Sequence, residues 1–169
     1  MQLCTTTGMS GILENTFINV KNSSKTITAN VQLSGNDKGI IFTQGGKFGG
    51  WALYMDNGKP AYTYNWFGLE SYTVTSPNVI NKKNAEIKLV LDYEGGGTGK
   101  GGMATLFVDG EKMAEGRIGK TQPAVFSADE TADVGKDETT QVVDKVFKDV
   151  EDSVFTGYVE KVTVSIPKK

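Results

Sequence analysis

Apolar and polar residues alternate through much of this chain, with the period of two that is typical of strands with one buried face. The alternation is clearest in the segments KTITANVQL and AEIKLVLDYE. Their apolar positions are Ile27, Ala29, Val31, Leu33, Ile87, Leu89, Leu91 and Tyr93. The closing segment SVFTGYVEKVTVSI shows similar spacing. We therefore expect several half-buried strands.

Strong turn signals separate two pairs of these strands. Asp56-Asn57-Gly58 lies between two aromatic runs, and Asp109-Gly110 lies between MATLFV and EKMAEGRI. Asn-Gly and Asp-Gly favour the short turns of β-hairpins because both residues tolerate a positive φ. The sequence therefore predicts two hairpins, and with them an antiparallel arrangement.

The segment 141–152 has a different pattern. Its apolar residues recur at helical spacing and are Val142, Val143, Val146, Phe147 and Val150. A helix of one to three turns fits this spacing, and so does an irregular segment that dips its apolar residues into the core. Both alternatives remain open at the level of the sequence.

Many short strands with regular turns predict an all-β fold, a two-sheet antiparallel sandwich of the jelly-roll type. The chain has 169 residues, a length at which one core can bury most of its apolar surface. The sequence shows no internal repeat and no linker. We therefore expect residues 1–169 to form a single domain.

Composition narrows the chemistry that this chain can perform. It contains no histidine and one cysteine, which excludes Ser-His-Asp and Cys-His catalysis, histidine zinc sites and an internal disulfide. The net charge of −2 offers no electrostatic attraction for nucleic acid. No stretch approaches the ~20 apolar residues that cross a bilayer. We therefore expect neither nucleic acid nor a membrane as a partner.

The glycine-rich stretch GGGTGKGG, residues 95–102, raises the question of phosphate binding. Residues 97–102 match G-x-G-x-x-G by letter, but that site needs a helix after the glycines, and the residues that follow predict a strand. The Walker pattern also fails, because Lys100 is followed by Gly101. We expect this stretch to connect two antiparallel strands.

The acidic stretch SADETADVGKDE offers oxygen ligands for a metal ion. Asp129, Asp133 and Asp137 are the candidate ligands, because closely spaced carboxylates suit Ca²⁺. The spacing does not fit an EF-hand, and a solvated or docking acidic loop is the alternative. We expect no cofactor in this chain, with a structural calcium ion as the open alternative.

Aromatic residues crowd the hairpin between residues 51 and 67. Trp51, Tyr64 and Trp66 are candidates for stacking on sugar rings, with Asp56 and Asn65 as hydrogen-bonding neighbours. The alternative is packing in the core or an interface, because aromatic residues favour the buried faces of strands. The sequence therefore leaves a glycan site in this hairpin as a hypothesis.

Three long stretches resemble, in order, the C-terminal region of bacterial arylsulfatases. They are QGGKFGGWALYMDNGKPAYTYNWFGLE, DYEGGGTGKGGMATLFVDGEKMAEGRI, and FSADETADVGKDETTQV followed by FTGYVEKVTV. The resemblance runs from about residue 8 to residue 166. The segments LFVDGEKMAEG and FTGYVEKVTVSI also resemble laminin G and concanavalin A-like sandwiches, in agreement with the fold expected from the alternation.

The resemblance implies a β-rich accessory domain that follows a sulfatase catalytic domain. A parent sulfatase would use calcium and a formylglycine made from a C-x-P-x-R type signature. Cys4 lies in CTTTG, which lacks that signature, so no catalytic residue of the family can be placed on this chain. The implied parent is bacterial and periplasmic or exported, and the implied partner is its catalytic domain.

Three functions therefore compete. The first is a non-catalytic domain that packs on or positions an arylsulfatase-like catalytic domain, and it predicts an open apolar face. The second is a carbohydrate-binding module for sulfated glycans, which predicts exposed aromatic residues on a concave face. The third is a free-standing enzyme such as a glucanase, which predicts two facing carboxylates, with Glu86, Asp92 and Glu94 as candidates.

Overall fold

The computed structural model describes residues 1–6 and 8–167. Its elements, in chain order, are β1 (Gln2–Thr5), β2 (Ile12–Leu13), β3 (Lys25–Gln32), β4 (Gly39–Gly46), β5 (Gly49–Asp56), β6 (Lys59–Trp66), β7 (Glu70–Thr75), β8 (Asn84–Tyr93), β9 (Gly102–Val108), β10 (Glu111–Ile118), β11 (Thr131–Val134), α1 (Val150–Ser153) and β12 (Tyr158–Ser165). In this part of the chain no helix is long and apolar enough to cross a membrane.

The strands form two six-stranded sheets. The first has the order β1-β12-β3-β8-β9-β10, and the second has the order β2-β11-β4-β5-β6-β7. Neighbouring strands in both sheets are antiparallel. This arrangement confirms the predicted all-β, two-sheet antiparallel sandwich.

Both predicted hairpins form at the predicted residues. Asn57 and Gly58 connect β5 to β6 with φ angles of 47° and 79°, and Asp109 and Gly110 connect β9 to β10 with 50° and 83°. The glycine-rich stretch connects the antiparallel strands β8 and β9, with no helix after it. A loop of this kind lacks the helix N-terminus that a phosphate site requires.

The main core lies between the two sheets. The first sheet contributes the alternating residues of β3 and β8, and their intervening side chains remain partly exposed. In the second sheet the inward side chains of β5 and β6 are larger, and they are Trp51, Leu53, Met55, Tyr62 and Tyr64. A register shift between Ile40 and Phe42 in β4 lets both Ile41 and Phe42 join this core.

Strands β4 and β5 of the second sheet are buried on their outer face as well. All eight residues of β4 and seven of the eight residues of β5 are buried. These two strands therefore lack the alternation of buried and exposed residues seen in β3 and β8. The cover is the segment 141–148, which packs three apolar side chains onto Ile40, Ala52, Tyr54 and Ala61. These three side chains are Val142, Val143 and Phe147. We call residues 141–148 the covering segment.

The covering segment resolves the ambiguity left by its helical spacing. It consists of turns, and the helix is limited to the single turn of α1, capped by the Asp149 side chain, which accepts from the Asp152 N–H at 2.9 Å. The segment is therefore irregular, as the second alternative predicted. Its apolar residues cover the outer face of the sheet, however, and do not enter the main core.

Trp51 is the central aromatic side chain of the main core, and its truncation should be costly. Its ring lies 5.5 Å from that of Phe42 and 6.5 Å from that of Tyr62, and its Nε1 donates to Gln44 Oε1 at 3.1 Å. We expect Trp51→Ala to lower the free energy of unfolding by about 3–5 kcal/mol, measured by denaturant titration. Phe48→Ala is the control, because that ring is 67% exposed. Equal stability of the two variants would contradict the packing described here.

Candidate functional site

Hydroxyl side chains line the uncovered part of the outer face of β5, β6 and β7. The Tyr54 hydroxyl lies 3.0 Å from Thr63 Oγ1, which lies 2.8 Å from Thr73 Oγ1 on the next strand. Burial is the main cause that raises the pKa of Tyr54, so this phenol stays neutral. The three hydroxyls therefore form a chain that crosses three strands.

A cavity of about 180 Å³ lies above this chain of hydroxyls. Its floor is the sheet and its wall is part of the covering segment. The floor residues are Tyr54, Asp56, Thr63, Ser71, Thr73 and Thr75, and the wall residues are Val142, Val143, Asp144, Lys145 and Val146. The site is thus a shallow polar cleft with an apolar wall.

A second cavity, of about 150 Å³, continues the first towards the loops β4–β5 and β6–β7. It is lined by Lys47, Phe48, Asn65, Gly68, Leu69, Ser71, Asp144 and Lys145. The two cavities share Ser71, Asp144 and Lys145, so they adjoin along β7. We call the two cavities together the β5–β7 groove.

Exposed apolar side chains stand at the loop end of this groove. Phe48 is 67% exposed, Leu69 is 76% exposed and Phe67 is 43% exposed. Phe67 has a φ of 52°, a conformation that is unusual for a bulky residue and typically costs about 1–3 kcal/mol. The turn is closed by a hydrogen bond from Leu69 N to Trp66 O at 3.0 Å. A strained aromatic residue at a loop tip is a typical mark of a binding surface.

The structure separates the candidate glycan residues by the face of the sheet on which each side chain lies. Trp51 and Tyr64 point into the core and are at most 2% exposed, so neither ring is available for stacking on a sugar. The Tyr64 hydroxyl accepts from Gln122 N at 2.8 Å, and burial raises its pKa. The proposal of stacking at these two residues is corrected, because both belong to the inward face of the sheet.

Of the other three candidates, Asp56 and Asn65 line the groove, whereas Trp66 packs against the main core. Asp56 lines the first cavity and is partly buried. Asn65 lines the second, but its Nδ2 donates to Lys47 O at 2.9 Å and Val142 O at 3.2 Å. Trp66 is partly buried, with the Lys120 ammonium 4.5 Å from its ring centroid. Asp56 is therefore available to a ligand, Asn65 is structural, and the face of Trp66 is occupied.

The acidic loop does not gather its three candidate ligands. Asp129 is exposed, whereas Asp133 and Asp137 are buried and bonded to the chain itself. Asp133 accepts from Gly11 N at 2.6 Å and from the Thr131 hydroxyl at 2.8 Å. Among residues 1–6 and 8–167, no three acidic, histidine or cysteine side chains are arranged to hold a metal ion. The carboxylates of Asp133 and Asp137 are therefore engaged in hydrogen bonds within the chain.

The sequence did not single out the residues at the loop end of the groove. Lys47, Phe48 and Leu69 belong to no motif, and Phe67 belongs only to the aromatic stretch between residues 51 and 67. The available signal was the pairing of a bulky apolar residue with glycine in both adjoining loops, KFGG and WFGL. Glycine marks the turn, and the bulky residue beside it has no core to enter.

Another opening, larger than either cavity of the groove, lies between residues 13–21 and 123–128. This cleft has a volume of about 630 Å³ and exposes Leu13 and Val125, which are 48% and 61% exposed. An ion pair closes one side, with Lys21 Nζ 2.5 Å from Glu14 Oε1. Glu14 Oε2 also accepts from Phe126 N at 2.8 Å. We call this opening the apolar cleft.

Solved structures share this fold. The carbohydrate-binding module CBM40 of the Ruminococcus gnavus IT-sialidase superposes with a TM-score of 0.65 and 19% identity, over 100% of this chain and 94% of that chain. Domains LG4-5 of the mouse laminin α1 chain give a TM-score of 0.62 and 11% identity, over 96% of this chain and 41% of that chain.

A third similar structure is the binding domain of botulinum neurotoxin DC in complex with SialylT, with a TM-score of 0.52 and 11% identity, over 98% of this chain and 34% of that chain. No family model matches the chain, and no curated protein matches it by sequence. At these identities the comparisons show the jelly-roll sandwich fold. None of these three structures is a sulfatase, so they support the fold part of the arylsulfatase resemblance alone.

Asp137 gives the acidic loop a testable pH dependence. Its Oδ2 accepts from Val142 N at 2.8 Å, and burial raises its pKa from 3.8 to about 8, with Asp133 and Glu130 adding to the rise. The pKa of Asp137 is higher in the folded chain than in the unfolded chain. The contribution of this carboxyl group to the free energy of unfolding is therefore fully present below about pH 4 and is lost as the pH rises towards 8. The loss should be on the order of a few kcal/mol.

The expected result is a thermal midpoint that falls between pH 4 and pH 8 in the native chain and falls less in Asp137→Asn. Asparagine keeps an acceptor for Val142 and carries no charge at any of these pH values. Asp129→Asn is the matched control, because Asp129 is exposed. Parallel pH profiles for the native chain and Asp137→Asn would contradict the role given to this carboxyl group.

Proposed function

We propose that this chain is a non-catalytic carbohydrate-binding domain whose ligand lies in the β5–β7 groove. The observation that carries the proposal is a line of hydroxyls on a rigid sheet that ends at exposed apolar loop tips. Sugars present hydroxyls on their edges and C–H groups on their faces. The groove offers Ser71, Thr73 and Asp56 to the hydroxyls, and Phe48 and Leu69 to the apolar faces.

The geometry favours recognition rather than turnover. The carboxylates suggested for a glycosidase lie in the other sheet, where Glu86 pairs with Lys88 at 3.6 Å and Glu94 pairs with Arg117. The similar modules of known structure are binding domains, among them a second CBM40 structure described as bound to α2,6-sialyllactose. Their ligands support a glycan as the ligand class here.

The groove should lose affinity when its hydroxyls are removed one at a time. Thr73→Val keeps the shape of an exposed strand residue and removes a hydroxyl that lines the first cavity. We expect this variant to bind its best glycan about tenfold more weakly, the equivalent of about 1.4 kcal/mol or one good hydrogen bond. A glycan array identifies the ligand, and isothermal titration calorimetry measures the affinity.

Thr28→Val is the matched control, because Thr28 is a partly exposed strand residue of the other sheet. Its affinity should equal that of the native chain. A native-like affinity of Thr73→Val, or an equal loss in both variants, would place the glycan outside the β5–β7 groove.

A second candidate function is that of an accessory domain that packs on a sulfatase catalytic domain. The arylsulfatase resemblance of residues 8–166 supports it, and the apolar cleft supplies a surface of the kind it predicts. Exposed Leu13 and Val125 would be covered in such a contact. The two functions are compatible, because the cleft and the β5–β7 groove have no lining residue in common.

Charge introduced into the apolar cleft should break this contact. The partner for the test is the catalytic domain of an arylsulfatase whose own C-terminal region resembles this chain, produced without that region. We expect Val125→Asp to weaken association at least tenfold in analytical ultracentrifugation, because the carboxylate would be desolvated at the interface. Met103→Asp, at a 40% exposed residue of β9, should have no effect. Absence of association by the native chain would refute this second function.

A further inference from the structure

The loop end of the β5–β7 groove carries unpaired positive charge. Lys47 and Lys145 both line the second cavity, and neither forms an ion pair with any residue in the described part of the chain. Asp144 is the one acidic residue that lines this cavity, which leaves a net positive charge.

The opposite end of the groove has the opposite sign. The first cavity contains Asp56, whose Oδ1 accepts from Asn57 Nδ2 at 2.8 Å, together with the neutral hydroxyls of the strands. A carboxylate accepts hydrogen bonds from sugar hydroxyls but repels an anionic group. A ligand with one anionic group therefore has a preferred direction along the groove.

The base of Lys47 is held in place, so part of the cost of ordering this residue is met before a ligand binds. Its N–H donates to the Thr140 hydroxyl at 2.9 Å, and its carbonyl accepts from Asn65 Nδ2 at 2.9 Å. These bonds connect the β4–β5 loop to β6 and to Thr140, the residue just before the covering segment. Lys145 belongs to the covering segment. Preorganised donors bind an anion better than donors on a free loop.

We infer, on the basis of the proposed function, that the ligand of the groove is an anionic glycan whose carboxylate or sulfate group lies between Lys47 and Lys145. Its neutral sugar extends over Ser71 towards Thr73 and Asp56. The apolar side chains of Phe48 and Leu69 contact the ring that bears the anionic group. Charge-assisted hydrogen bonds from the two ammonium groups provide the discrimination against neutral sugars.

The test uses an array that carries the same oligosaccharides in neutral, sialylated and sulfated forms, followed by titration of the best matched set. The native chain should bind the anionic forms at least about tenfold more tightly than the neutral form, a difference of about 1.4 kcal/mol. This preference should shrink as salt is raised. The sialylated and sulfated arms distinguish a carboxylate from a sulfate as the recognised group.

The double variant Lys47→Gln/Lys145→Gln should bind all forms with the affinity that the native chain has for the neutral form. Asp144→Asn should bind the anionic forms more tightly, because it removes the one competing carboxylate of the cavity. Lys161→Gln is the control, since Lys161 is exposed on β12 of the other sheet. Equal binding of the three forms by the native chain would overturn this inference and leave glycan binding intact. Binding to no form of any glycan would overturn both.

Discussion

The burial of β4 and β5 on both faces is the constraint from which the rest of this structure follows. Strand β5 places Trp51 and Leu53 against the main core and Ala52 and Tyr54 against the covering segment. A strand in this position has no solvent face over most of its length. The side chains on its outer face must therefore be small, as Ala52 is, or hydrogen-bonded, as the Tyr54 hydroxyl is.

Two hydrogen bonds to the backbone of Val142 add to the apolar contacts that hold the covering segment on the sheet. Val142 donates its N–H to Asp137 Oδ2, and its carbonyl accepts from Asn65 Nδ2. Asp137 and Asn65 are both buried, so these bonds replace contacts with water that the chain has given up. The same segment forms the apolar wall of the β5–β7 groove. Asn65 therefore links the segment that borders the groove to β6, and Asp137 links it to the preceding loop.

Local pattern was sufficient to predict the sheets and insufficient to predict the site. Alternation and the Asn57-Gly58 and Asp109-Gly110 turns predicted the sandwich, because a hairpin turn fixes the pairing of its own strands. The neighbourhood of aromatic residues made Asn65 a candidate for binding a glycan, and the close spacing of carboxylates made Asp137 a candidate for binding a metal. The structure uses both side chains in hydrogen bonds within the molecule. The alternation of apolar and polar residues does not show that the distant covering segment packs on the outer face of the second sheet. The part of this face that stays open could therefore not be located from the sequence.

The backbone of Phe67 lowers stability at a position where, under the proposed function, an exposed aromatic ring would serve binding. A residue with a φ of 52° is most stable as glycine or asparagine, since neither is strained there as a bulky side chain is. A chain selected for stability alone would therefore carry one of those residues after Trp66. The aromatic ring that stands there instead, 43% exposed, adds nothing to the main core. This turn is where a thermostabilised form of the protein and a functional one would be expected to diverge.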